Sequence, residues 1–196
     1  MKFSSPNAFF AEKKEIVDES FPGDIVGVHD TGNFKIGDTL TEGEALNFKG
    51  IPSFSPEHFR YVNNADPMKS KQLNKGLDQL MDEGVAQLFI QQPGNRKIVG
   101  TVGQLQFEVI SYRLLNEYGA KCAFTPKRYY KACWMTTDNQ EKLDAFIRAK
   151  SIYIATDKDD NYVFLAETPF LLQMAQSDYP EIQFHFTSDF KVGQEA

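Results

Sequence analysis

Between His58 and Phe186 the apolar pattern runs strand, helix, strand, strand, helix, strand, and then runs through the same order again. That order is the strongest constraint on the fold. A βαββαβ unit places two helices on one face of an antiparallel sheet. In the first copy residues 58–62 read as a strand, and Asp66-Pro67 supplies a cap followed by proline at the first helical position. Leu73, Leu77, Leu80 and Met81 share one face of a helix that Gly84 ends. Strands over 86–90 and 97–100 flank the turn Pro93-Gly94-Asn95. Phe107, Ile110, Leu114 and Tyr118 mark a second helix closed by Gly119, and residues 121–124 complete the unit.

The second copy opens with a strand over 129–135. Asp138 with Glu141 is a capping box for a helix through Leu143, Phe146 and Ile147. Strands over 151–156 and 162–166 flank the turn Lys158-Asp159-Asp160-Asn161. Thr168-Pro169 caps a helix carrying Leu172, Met174 and Ala175, and residues 182–186 close the unit. Two tandem ferredoxin-like modules are expected, over 52–126 and 127–196. The halves share little sequence, so the repeat is one of architecture. The first fifty residues read differently. Short β-rich runs at 15–18 and 24–29 are broken by turns at Phe21-Pro22-Gly23-Asp24, Asp30-Thr31-Gly32-Asn33 and Thr41-Glu42-Gly43. So few strands cannot bury both faces, and residues 1–51 read as part of a β-barrel. The fold class expected is therefore α+β.

Charge and cysteine content narrow the function. The chain carries 21 Lys and Arg against 27 Asp and Glu, and residues 151–196 alone sum to −6, so the remainder is balanced. A global basic face for nucleic acid is excluded, and any RNA contact must be a local patch. No apolar run spans a bilayer and no secretory signal opens the chain. Two cysteines, Cys122 and Cys133, are too few for a disulfide framework and read as structural thiols. A cytoplasmic protein is expected.

Few residues carry candidate chemistry. His29, His58 and His185 lack metal-ligand spacing, and the loop at 157–161 lacks the glycine and glutamate of a calcium site. Gly100-Thr101-Val102-Gly103 before a helix invites an anion. Yet no GxxxxGK[ST] or GxGxxG occurs, so a packing turn is the better account. No catalytic, cofactor or metal residue is expected. One patch stands out. From Lys121 to Met135 lie Lys121, Lys127, Arg128 and Lys131 with no acid, interleaved with Phe124, Tyr129, Tyr130 and Trp134. Bases can neutralise phosphates while aromatics stack on nucleobases; equally, the aromatics can alternate into the core. Lys121, Lys127, Arg128, Tyr130 and Lys131 are the candidate RNA contact. Lys69, Lys71 and Lys75 form a weaker patch.

Several strings carry a resemblance. Phe21-Pro22-Gly23-Asp24-Ile25-Val26-Gly27 with Ile36-Gly37-Asp38-Thr39-Leu40 resembles the end of the second-domain barrel of translational GTPases. Gly50-Ile51-Pro52-Ser53-Phe54-Ser55-Pro56-Glu57, Val99-Gly100-Thr101-Val102-Gly103-Gln104-Leu105-Gln106-Phe107-Glu108-Val109 and Tyr179-Pro180-Glu181-Ile182-Gln183-Phe184-His185 resemble the bacterial class II peptide chain release factors. The likeness covers about residues 15–190. It implies that 52–196 form the third domain of a translation-termination GTPase that recycles class I release factors from the ribosome. GTP and magnesium would belong to a GTPase domain that has no counterpart here, so no cofactor is expected in this chain and it reads as a truncated, non-enzymatic part. The implied partners are the ribosome, through its RNA and proteins, and indirectly the class I factors, with no membrane. Two other readings compete: an acylphosphatase-like hydrolase using Arg96 beside Asn95, and a ligand-sensing ferredoxin-like tandem.

Overall fold

The computed structural model describes residues 7–10, 13–16, 19–28, 38–44, 46 and 55–188. Strands β1 (Asn7–Phe10), β2 (Lys13–Ile16) and β3 (Val26–Gly27) form an antiparallel sheet in the order β2-β1-β3. The strand at 7–10 was not expected. The turn at 21–24 forms as read, its ends closed by Asp24 N–H on the Phe21 carbonyl and Phe21 N–H on Asp24 Oδ2. The expected turn at 30–33, and the linker up to Phe54, lie outside the described residues.

The remainder is α+β. Strand β4 (His58–Asn64) leads into a 3-10 turn (Pro67–Lys69), helix α1 (Ser70–Asp82), β5 (Gln87–Gln92), β6 (Arg96–Thr101), α2 (Gln106–Tyr118) and β7 (Cys122–Lys127). The second copy runs β8 (Lys131–Thr136), α3 (Gln140–Ala149), β9 (Ile154–Thr156), β10 (Tyr162–Ala166), α4 (Pro169–Asp178) and β11 (Gln183–His185). Strand β7 thus runs one residue past the expected boundary at 126. Local chemistry accounts for the helix ends. Asp66 caps the 3-10 turn by accepting from Met68 N–H. After α1, Gly84 takes the left-handed conformation (φ 68°). Its N–H and that of Val85 then satisfy the carbonyls of Met81 and Leu80, a Schellman ending. The cap of α3 is Asn139, not Asp138 as expected: its side chain accepts from Lys142 N–H at 3.1 Å. Replacing Asn139 by Ala should therefore cost about 1 kcal/mol in urea unfolding. Asp138→Ala should stay within about 0.5 kcal/mol, and equal losses would contradict this assignment.

All eight strands from β4 onward join one sheet, ordered β11-β8-β10-β9-β5-β6-β4-β7, with every pairing antiparallel. Numbering the strands within each half gives the order 4-1-3-2 twice. The halves meet where β5 pairs with β9, Ile90 opposite Thr156 and Gln92 opposite Ile154.

The core differs from the expectation of a sheet covered on one face only. Adjacent residues are buried on opposite sides. Leu88 and Val99 lie under α1 and α2, and Cys133 and Phe164 under α3 and α4. Phe89, Ile98, Trp134 and Leu165 join Phe59, Tyr61 and Tyr129 in a third cluster on the other face. This cluster exists because the sheet curls. Phe59 in β4 and Tyr129 just before β8 make an edge-to-face contact at 5.5 Å. Five strand spacings in a flat sheet would hold those strands about 24 Å apart. Ser55 fastens the closure: its N–H donates to the Phe186 carbonyl at 2.8 Å and its hydroxyl oxygen accepts from Ala132 N–H at 2.9 Å.

Candidate functional site

The curl separates the five candidate contact residues. Lys121 precedes β7 at the end of the sheet where α1 begins, its carbonyl accepting from Ala65 N–H. Lys127 ends the same strand, on the order of 20 Å away. Lys121 therefore adjoins the segment leading to Lys69, while Lys127, Arg128, Tyr130 and Lys131 cluster where β7 passes into β8. Within that cluster Lys127 pairs with Glu167 at 2.7 Å and lies over the Tyr129 ring. Arg128 and Tyr130 are exposed and Lys131 is half-buried.

Of the four aromatics in the segment, only Tyr130 faces outward. Phe124 is half-buried and packs edge-on to Phe107. Tyr129 and Trp134 belong to the shared core, and the indole N–H of Trp134 donates to Asp157 Oδ2 at 2.9 Å. A stacking platform built from the whole run does not form. What remains is one ring beside two or three cations.

Next to this cluster the halves are tied by polar groups. The Tyr61 hydroxyl donates to Gln91 Oε1 at 2.8 Å, and Gln91 Nε2 donates to the Ile152 carbonyl at 2.7 Å and reaches the Tyr129 hydroxyl. Burial, then the Tyr61 bond, pushes the Tyr129 hydroxyl pKa well above the ordinary tyrosine range. The Tyr129 ring is a structural spacer and does not exchange its proton near neutrality.

The other motifs are engaged internally. In the 100–103 turn Val102 and Gly103 N–H donate to Gln106 Oε1 at 3.0 and 2.8 Å, and Thr101 Oγ1 donates to the Gly103 carbonyl. The amides that would hold a phosphate are filled by the helix's own glutamine. The guanidinium of Arg96 lies 3.6 Å from the centre of the Tyr61 ring, and Asn95 sits in a left-handed turn (φ 50°). Asp157 accepts from Asp159 N–H, Asn161 N–H and the Asn161 amide, so its loop is closed by protein donors. Both thiols are buried and free, Cys133 with its pKa pushed up to about 12 by desolvation. Among the described residues no group of three or more His, Cys, Asp or Glu is placed to hold a metal, and no helix is long and apolar enough to cross a membrane.

Phe107, Ile110, Leu114 and Tyr118 mark only one face of α2. The opposite face carries Leu105, Val109, Tyr112 and Leu115, all exposed. That second signal is present in the sequence too, since the helix is apolar on both sides.

Residues 48–176 match the family model described as Class II release factor RF3, C-terminal domain, and residues 1–43 match Elongation factor G domain 2.

Proposed function

The chain belongs to the class II release factor RF3 family, and from that membership we propose that it is the ribosome-docking part of a translation-termination GTPase, working in the cytoplasm and breaking no bond by itself. The family match over well more than half of the chain carries this reading. The repeated 4-1-3-2 strand order supports two ferredoxin-like modules, 52–126 and 127–196, fused through β5 and β9 into one rigid docking body. In this reading the docking body helps the GTPase recycle class I release factors, which it affects through the ribosome rather than by direct capture. The residues present do not fit GTP or magnesium: no P-loop occurs in the sequence, and the glycine-flanked turn before α2 has its amides turned to Gln106. Nucleotide chemistry is assigned to the GTPase domain of such factors.

Arg128, Tyr130 and Lys131 are the proposed RNA contact, with Lys127 as their support. Because Glu167 already neutralises Lys127, Arg128 and Lys131 carry the phosphate contacts. Reversing both, Arg128→Glu with Lys131→Glu, should weaken binding to purified ribosomes at least tenfold. It should also lower the slope of log K against log salt by about 0.7 to 0.9 for each phosphate no longer neutralised. Lys121→Glu should change neither by as much. Ribosome binding by the double variant with unaltered affinity and slope would remove this patch from the interface.

A further inference from the structure

We propose that the outward face of α2 is a docking surface for a ribosomal protein, distinct from any RNA contact made by Arg128 and Lys131. The inference rests on the ribosome-binding reading above. Val102, Leu105, Val109, Tyr112 and Leu115 expose 62%, 73%, 50%, 70% and 50% of their surface. At 100° per residue Leu105, Val109, Tyr112 and Asn116 fall within about 60° of arc, a stripe roughly 16 Å long. The inward face of the same helix is filled by Phe107, Ile110 and Leu114. A helix apolar on both sides belongs between two partners, and among the described residues α2 has only one.

Helix α1, which packs beside α2, sharpens the contrast. The exposed face of α1 carries Lys71, Asn74, Lys75, Asp78 and Asp82, which is how a helix bordering water reads. The α2 stripe exposes on the order of 500 Å² of apolar surface, at the upper end of patches on ordinary monomers and in the class that marks contact sites.

Its chemistry selects the occupant. Aliphatic side chains give phosphates nothing to bind, and the rim is acidic: Glu108 flanks one side, Glu83 and Glu117 the other. The cation on α2 itself, Arg113, is held between Glu83 and Glu117. Its hydrogen bond keeps the Glu117 carboxyl below its ordinary pKa, so that rim stays charged. An RNA backbone is repelled there. A second copy of this chain fits no better, because the same acidic rims would face each other. An apolar protein surface rimmed by lysine and arginine fits both the stripe and its charge.

The test uses the full chain and purified ribosomes. Leu105→Gln with Tyr112→Gln changes only exposed positions, and it should weaken binding about tenfold while leaving the salt slope unchanged, since neither side chain neutralises a phosphate. In parallel, the single variant Tyr112→p-benzoylphenylalanine, irradiated on the ribosome, should give an adduct that survives ribonuclease and is destroyed by protease. Unchanged affinity of the double variant, an adduct with RNA, an adduct with a second copy of the chain, or no adduct would each overturn the inference. If the unaltered chain binds and only the Arg128/Lys131 reversal weakens it, the α2 surface fails and the ribosome reading stands. If the unaltered chain does not bind ribosomes, both fail.

Discussion

Phe89→Ala should be the most damaging single truncation in this chain, costing about 3–5 kcal/mol and lowering Tm by roughly 10 °C. Phe89 is fully buried at the seam between the halves, with its ring 6.2 Å from Phe59 and 6.1 Å from Trp134. Phe59 belongs to the first half and Trp134 to the second, so the cavity opens in a cluster that both halves share. The chain has a single tryptophan, and its fluorescence reports the second half while far-UV circular dichroism reports the whole. Because the halves share a sheet and a core, the two signals should shift together in urea. A remote control separates this from a local effect. Leu77→Ala lies on the buried face of α1, outside the shared cluster, yet it should also move the Trp134 transition. A Trp134 transition unmoved by Leu77→Ala would mean that the halves unfold independently.

Much of this architecture was legible because its determinants are local. Apolar residues three and four apart placed all four helices. Thr168, whose side chain accepts from Leu171 N–H, and Asp66 announced two of the starts. The cap of α3 was misread by one residue because Asp138 and Asn139 are both good caps. Nothing in the string shows which of them takes the extended backbone. The curl of the sheet was hidden for a different reason. A strand buried on both faces reads as an unbroken apolar run, as in Ala132-Cys133-Trp134-Met135. Such a run does not say what lies on its second side. That ambiguity carried into the candidate site. In the sequence Tyr129 and Trp134 fit either stacking or the core, and Phe59 and Phe89, which pack against them, decide for the core. Lys127 looked free until Glu167, forty residues on, was found beside it. Charge content survives as a guide to surfaces, but partners distant in sequence decide which charges remain free.

Gly100→Ala should cost about 1–3 kcal/mol, more than its one added methyl suggests. A Cβ at Gly100 would stand 2.5 Å from Pro56 Cγ, 2.9 Å from Pro56 Cβ and 3.0 Å from Phe89 Cε2. The proline ring cannot rotate out of the way and Phe89 is locked in the seam, so the chain at 55–56 has to move. That displacement pulls on Ser55, whose two hydrogen bonds reach Phe186 and Ala132 in the second half. The clash in β6 is thereby transmitted to the closure between the halves. Gly76→Ala makes the useful comparison. Its Cβ would meet Leu114 and Tyr118 at 2.7 and 2.8 Å, but replacing a helical glycine by alanine returns about 1 kcal/mol, and side chains yield more readily than a proline. Gly100→Ala should therefore be the more destabilising of the two. It should also speed hydrogen exchange at the Ala132 amide, whose acceptor is Ser55 Oγ, beyond what the global loss explains. Ala132 protection that falls no further than that of Phe89 would show that the added methyl is absorbed within β6 and that Ser55 holds its place.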